Sequence, residues 1–216
     1  MKHMLTDTDR SLLDRRIAET EKQTRAQIVL ASVLRSDSYA EIPWKAFAIG
    51  VSLASLIMIF LDLFVIGWIT NSLILSSLAV IMATGAIFAL LSVLIPGFGK
   101  LFLSPQRKET ETMQYAESLF LSNELFSTED RRGILILVSQ FERQVVILPD
   151  KGVRDLLNTE VLEVVISIMT RHLRRNELRQ AMEAGLEGIH SALGFEVPDW
   201  EDRNELSNEI IEEDGV

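Results

Sequence analysis

The 216-residue sequence contains no cysteine, which excludes disulfide bonds, zinc–thiolate sites and cysteine nucleophiles. Basic residues are also few, since 21 Lys and Arg stand against 31 Asp and Glu, for a net charge of -10. Nucleic-acid binding needs a basic face to displace counterions from phosphates, so this balance argues against a nucleic-acid partner. The sequence has no glycine-rich phosphate loop, nucleophile elbow or His-Glu-x-x-His motif. Several common enzyme classes therefore have no support in the sequence.

Charge is almost absent from residues 46–99, which contain a single charged side chain. A globular core element reaches the surface every turn or two, so this stretch is too long to be a buried segment. It is long enough for two membrane crossings of about 20 residues each. We therefore predict a transmembrane hairpin over residues 44–98, with the lipid bilayer as its surroundings. Its parts are spans at about 44–68 and 72–96 and a polar turn at Thr70 and Asn71.

The single charged residue of this hairpin, Asp62, allows two interpretations. Carboxylates inside a membrane are costly and usually functional, so Asp62 is a candidate for a functional role. Alternatively, Asp62 lies near the outer end of the first helix, at the level of the hydrated headgroups.

Basic residues flank the outer ends of the predicted hairpin, whereas its connecting loop has none. The positive-inside rule then places both termini and the soluble domain in the cytoplasm, with the chain as a multi-pass protein of the cell membrane. The flanking basic residues are Arg35, Lys45, Lys100, Arg107 and Lys108.

The sequence on both sides of the hairpin has the hydrophobic periodicity of an α/β protein. We predict helices over Thr6–Thr24, Glu109–Glu124, 159–173 and 176–194, and strands over Gln27–Leu34, Gly133–Ser139 and Gln144–Leu148. Gly194 suits a left-handed C-cap.

One helix and one strand before the hairpin cannot bury a core alone, so the two flanks must fold together. We expect an α/β fold, a small mixed sheet with helices on both faces, interrupted by the two-helix transmembrane hairpin. Its first part covers residues 1–43 and its second part residues 99–197.

Two local motifs resemble the TPM domain family, also called the TPM phosphatase family. The first runs from Glu21 through Thr24 to Val29, at the end of the first helix and the start of the first strand. The second is the predicted β-hairpin with the Asp-Lys-Gly-Val segment that follows it, from Arg132 to Val153. A hairpin inserted after the first strand is similar to the membrane-bound branch of the family in bacteria, which implies a bacterial inner membrane. More typical members carry Asp-Asn-Gly where this sequence has Asp-Arg-Arg-Gly at 130–133.

The candidate site residues lie at the two ends of the predicted β-hairpin. Asp150 follows the second strand, where open α/β sheets commonly place ligands, and Arg132 precedes the first. The resemblance implies a site for a divalent cation, calcium or magnesium, and a phosphate, with Asp150 and Arg132 as catalytic residues. Asp150, Asp130 and Glu142 are the candidate metal ligands. The alternative is structural, with Asp150 capping the following turn and pairing with Lys151 or Arg132.

Two functional hypotheses follow from the sequence. The first is an interaction or assembly module of the cell envelope, whose partner is a membrane or envelope protein. The second is a membrane-anchored phosphatase that depends on a divalent cation.

The C-terminal residues 198–216 form an acidic tail, in which eight acidic residues stand against Arg203. Low hydrophobicity and high charge predict a flexible segment or a short frayed helix. The alternative is a role in partner binding through Trp200, Ile210 and Ile211.

Overall fold

The computed structural model describes residues 5–66, 71–194, 206 and 210–215. Contacts between Cα atoms divide the chain into two compact units. Unit 1 contains Met1–Asp37 and Lys108–Val216, and unit 2 contains Ser38–Arg107. The helices in chain order are α1 (Asp7–Thr24), α2 (Glu41–Leu61), α3 (Asn71–Leu94), α4 (Pro96–Gly99), α5 (Pro105–Ser122), α6 (Thr159–Arg174) and α7 (Leu178–Leu193).

The sheet of unit 1 joins strands from both sides of the insertion. Its strands are β1 (Gln27–Val33), β2 (Gly133–Ser139), β3 (Gln144–Pro149) and β4 (Ile211–Glu213), in the spatial order β3-β2-β1-β4. Strand β1 pairs in parallel with β2 and β4, whereas β2 and β3 are antiparallel. Every residue of β1 and β2 is buried, which explains their nearly continuous apolar sequences. The predicted mixed sheet is confirmed.

Helices cover both faces of this sheet because side chains along a strand alternate between faces. Ile28 and Leu30 of β1 belong to a core cluster with residues of α1, α6 and α7. Val29 and Ala31 point the other way, into a cluster with residues of α5. The predicted arrangement of helices on both faces is therefore also confirmed.

Local sequence signals set the ends of several helices in unit 1. Thr6 caps α1 by accepting from the Asp9 N–H at 3.1 Å, and the Asp9 side chain completes a capping box. Asn158 caps α6 by accepting from the Val161 N–H at 3.0 Å. Gly194 ends α7 with a φ of -66°, so the prediction of a left-handed C-cap there was wrong.

Unit 2 contains two apolar helices that are long enough to cross a membrane, over Glu41–Phe64 and Ile74–Leu94. Within the structure, only 11% of the most apolar 18-residue stretch of the first helix is buried, and only 6% of that of the second. A π-helical segment, Asp62–Ile66, follows α2. Of the predicted turn residues, Thr70 lies outside the described residues and Asn71 begins α3.

The predicted flexible tail contains a strand, which corrects the expectation for residues 211–213. Ile211–Glu213 form β4 on the free edge of β1. Pairing with a strand about 180 positions earlier, rather than any local helical preference, determines the conformation of this segment.

Candidate functional site

Asp150 lies where the chain leaves β3, and its side chain is only 4% exposed. Its backbone N–H donates to the Gly133 carbonyl at 2.9 Å, which continues the β2–β3 ladder by one bond. The Asp150 Oδ1 atom accepts from the Lys151 N–H at 2.8 Å. The carboxylate therefore caps the turn that follows the strand, as the structural alternative predicted.

The arginine that pairs with Asp150 is Arg131 rather than Arg132. Arg131 donates from Nε to Oδ2 at 2.5 Å and from Nη2 to Oδ1 at 3.0 Å, which is a bidentate pair. The Arg132 Nη2 atom instead donates to the carbonyl of Thr24 at 3.1 Å, at the end of α1. The structure therefore does not bring together the predicted catalytic pair of Asp150 and Arg132.

The backbone of the loop before β2 explains this difference. Asp130 and Arg131 are consecutive left-handed residues, with φ of 57° and 56°. The loop is also held by Gly152, whose N–H donates to the Arg131 carbonyl at 2.9 Å. A Cβ atom at Gly152 would lie 2.1 Å from the Asp130 carbonyl oxygen, so only glycine allows this approach. Neither the left-handed pair nor the close approach has a local signal in the sequence.

The electrostatics of the pair favour an ionised carboxylate. Burial raises the pKa of Asp150, but the hydrogen bonds from Arg131 and the Lys151 N–H, with the charges of Arg131 and Arg154, hold that pKa below its ordinary value. The hydrogen bond to Asp150 in turn raises the pKa of Arg131. A carboxyl group with a lowered pKa is unsuited to act as a general acid near neutral pH.

The three predicted metal ligands do not converge. Glu142 lies in the β2–β3 turn, where it accepts from the Ser36 N–H at 3.0 Å and from the Ser139 hydroxyl. The six residues of β3, roughly 20 Å of strand, separate this turn from Asp150. Asp130 is exposed in the loop that precedes β2, at the other end of the β-hairpin from Glu142. Within the described residues, no group of three or more His, Asp or Glu side chains can hold a metal ion.

The fit of Asp150 to a divalent cation is poor for a chemical reason. Both of its oxygens accept hydrogen bonds from Arg131, and Oδ1 also accepts from the Lys151 N–H. A hard cation needs several free oxygen ligands, whereas here a guanidinium group neutralises the carboxylate. This donor set does not fit the calcium or magnesium ion that the resemblance implies.

A concave site lies among α1, α6 and α7 and has a volume of about 500 Å³. Its lining contains Arg16 and the imidazole of His190 beside the carboxylates of Glu19, Glu183 and Glu187.

Comparison with known families gives a match to the model described as the TPM domain, over residues 101–192. The match covers fewer than half of the 216 residues and includes β2, β3 and helices α5, α6 and α7. It begins after α1 and β1, although β1 is central to the sheet. None of the curated proteins matches the sequence.

The fold is similar to the NMR structure of the BA42 protein from the psychrophilic bacterium Bizionia argentinensis, with a TM-score of 0.59. The two proteins are 15% identical, over 98% of this chain and 97% of that one. At this level of identity the similarity concerns the fold alone.

Proposed function

We propose that this chain is an integral membrane protein that presents a TPM-like domain at the surface of a bacterial inner membrane. The observation that carries the proposal is the exposure of the two apolar helices. Large side chains such as Phe60, Phe64 and Leu75 are 58%, 73% and 70% exposed within the structure. An apolar surface of this extent is unfavourable in water and is expected in contact with lipid.

The test of anchorage is extraction of membranes that contain the full chain. The protein is expected to stay in the pellet after alkaline carbonate treatment and to dissolve in detergent. Release by carbonate alone would contradict the transmembrane assignment.

Orientation is a separate part of the proposal, with both termini and the soluble domain in the cytoplasm. It is supported by the basic residues that flank the hairpin, among them Lys45 and Lys100. Protease added to inverted vesicles is expected to cut the C-terminal tail, whereas protease added to right-side-out vesicles is not. The reverse pattern would overturn the orientation.

The domain itself we assign as an interaction or assembly module of the cell envelope. The assignment is supported by the surroundings of Asp150. This carboxylate is buried, ionised and already paired with Arg131, so it is poorly suited to a catalytic role. This ion pair, in which the carboxylate is buried and the guanidinium is half-exposed, serves to hold the loop before β2 against the turn after β3.

The second candidate function is a phosphatase that depends on a divalent cation, which is favoured by the match of residues 101–192 to the TPM domain. The full chain in detergent is assayed on para-nitrophenyl phosphate with calcium, magnesium or manganese. Our proposal expects no turnover above a buffer blank with any of the three. Metal-dependent turnover that is lost in Asp150→Asn would favour the phosphatase.

A further inference from the structure

The edge of β1 that does not face β2 is occupied by a segment from the far end of the chain. Ala31, Ser32 and Val33 are paired in parallel with residues 211–213. The Leu34 N–H continues the ladder by donating to the Glu213 carbonyl at 3.1 Å. Backbone hydrogen bonds of this kind accept any extended chain, so selectivity must come from side chains.

Apolar side chains of the segment pack against the core on both faces of the sheet. Ile210 packs against the cluster that contains residues of α1, α6 and α7. Ile211 packs against the cluster that contains residues of α5. The β1 edge therefore favours a strand with two consecutive apolar residues, one for each face.

Two acidic side chains of the segment have specific partners in the domain. Glu212 accepts from the Arg10 Nη2 at 2.6 Å and from the Leu5 N–H at 3.3 Å. Glu213 accepts from the hydroxyl of Tyr115 on α5. Both helices that border the edge thus recognise a carboxylate.

A glycine requirement adds a further element of selectivity. Gly215 has a φ of 81°, and a Cβ atom there would lie 1.7 Å from the Arg35 carbonyl oxygen. The occupied edge therefore recognises the pattern of residues 210–215, which is two isoleucines, two glutamates, one variable position and a glycine.

We propose that the β1 edge is a binding site for an extended acidic segment. Residues 210–215 of the same chain occupy this site in cis, and the same residues of a second copy occupy it in trans. Every copy carries both the site and the segment that fits it, so exchange preserves every contact described above. Exchange of an identical element is a low-cost route to dimers. The inference deepens the proposed function, on which it rests, by naming the partner of the module.

The first experiment tests whether the segment behaves as a ligand. A protease site is inserted between Gly194 and Leu206 of the full chain, which is purified in detergent and cleaved. A fluorescent peptide of residues 206–216 is expected to bind the cleaved chain about tenfold or more tightly than the uncleaved chain, whose own tail competes at high effective concentration. Peptide that fails to bind a folded, cleaved chain would overturn the proposal. Loss of the near-ultraviolet circular dichroism on cleavage would overturn it as well, because the segment would then be an integral part of the core.

Peptide variants test the recognition pattern with matched chemistry. Glu212→Gln removes one charge and with it the ion pair with Arg10, whereas Asp214→Asn removes one charge at an exposed position. We expect the first to weaken binding severalfold and the second to leave it within about twofold, since a charge-assisted hydrogen bond is lost only in the first. Gly215→Ala should abolish measurable binding. Equal effects of Glu212→Gln and Asp214→Asn would show non-specific attraction of charge and contradict the proposal.

The second experiment tests the source of the segment. A tagged copy that ends at Gly194 is placed in vesicles with untagged full-length chains and then purified in detergent. The tagged copy is expected to retain full-length chains but not Gly215→Ala chains. Equal retention of full-length chains and of chains that also end at Gly194 would mean assembly through another surface. That result would refute strand exchange but would remain consistent with the proposed assembly module. Carbonate extraction tests the membrane anchorage independently.

Discussion

At the scale of single residues, Asp150 is expected to contribute to stability through its pair with Arg131. Asp150→Asn keeps the shape of the side chain but removes the charge and one acceptor of the bidentate contact. We expect the free energy of unfolding of unit 1 to fall by about 1–2 kcal/mol. This loss is at the lower end of the range for hydrogen bonds to charged groups, because the Arg131 guanidinium is 47% exposed and solvent screens the pair. Urea titration of the full chain in detergent, followed by near-ultraviolet circular dichroism, measures the change.

The matched control for this variant is Asp130→Asn, which makes the same chemical change at an exposed position of the facing loop. Asparagine tolerates the left-handed conformation of residue 130, so this control should shift the free energy by less than about 0.5 kcal/mol. Equal losses in the two variants would refute the role assigned to the Asp150–Arg131 pair.

The same pair predicts a dependence of stability on acid. The pKa of Asp150 in the folded chain lies below its ordinary value of 3.8, so its contribution is complete well above that pH and is lost as the pH falls through the folded pKa. The stability difference between the natural chain and Asp150→Asn should therefore shrink below about pH 4. Asp9, whose pKa is lowered mainly by the side chain of Thr6, is present in both and cancels. A difference that grows as the pH falls would contradict the prediction.

The choice of arginine shows the limit of sequence reasoning at this scale. The sequence offers a turn cap at Asp150 as the structural alternative to a catalytic role, and the Lys151 N–H does donate to its carboxylate. It does not distinguish Arg131 from Arg132, since the distinction depends on two left-handed residues held by contacts with a loop 20 positions later. Such conformations are set by tertiary packing rather than by local preference.

At the scale of secondary-structure elements, the close packing of α2 and α3 depends on two glycines. A Cβ atom at Gly85 would lie 2.6 Å from Val51 Cγ2, and one at Gly50 would lie 3.0 Å from the Cα of Gly85. Small residues allow helices to approach closely where the hydrophobic effect does not drive them together. We expect Gly85→Val to destabilise the helix pair by about 1–3 kcal/mol through overpacking.

The control for the glycine variant is Ala86→Val, which adds apolar volume at the next position, on an exposed face of α3. Thermal unfolding of the two variants in detergent, followed by far-ultraviolet circular dichroism, separates overpacking at the helix contact from the general effect of a valine in α3, because valine has a higher helix propensity than glycine. A melting temperature for Gly85→Val equal to that of Ala86→Val would show that the close approach is unimportant.

Elements with strong periodicity could be predicted from sequence, and those defined by distant partners could not. The apolar runs at Gln27–Val33 and Gly133–Ser139 indicate buried strands because both faces of each strand are covered. The strand at Ile211–Glu213 has only three residues in an acidic segment, so composition outweighs its weak strand signal. Its conformation follows from the β1 edge and from Arg10, neither of which is nearby in sequence.

At the scale of the whole molecule, unit 1 is built from two parts of the chain that are separated by unit 2. Strand β1 lies between β2 and β4, and its apolar side chains contribute to both core clusters. The region that matches the TPM domain begins after β1 and therefore lacks a central strand of its own sheet. Unit 1 should depend on the residues before the insertion as much as on those after it.

Removal of residues 45–100 tests this dependence directly. The two flanks of the deleted segment are in contact within unit 2, since the Lys45 Nζ atom donates to the Phe102 carbonyl oxygen at 3.4 Å. A short flexible linker between Trp44 and Leu101 should therefore join the two flanks, at only a small entropic cost of loop closure. We expect a water-soluble protein that unfolds cooperatively in urea.

The matched comparison is a fragment of residues 101–216, which contains the complete TPM match but neither α1 nor β1. This fragment would expose the edge of β2 and lose Leu13 and Ile17 from the core, where both side chains are fully buried. Exposed edges and lost apolar burial favour aggregation, so we expect it to be insoluble or to unfold without a cooperative transition. Cooperative unfolding of the fragment with a midpoint equal to that of the linked protein would show that the residues before the insertion are dispensable, and the two-part domain would then be wrong.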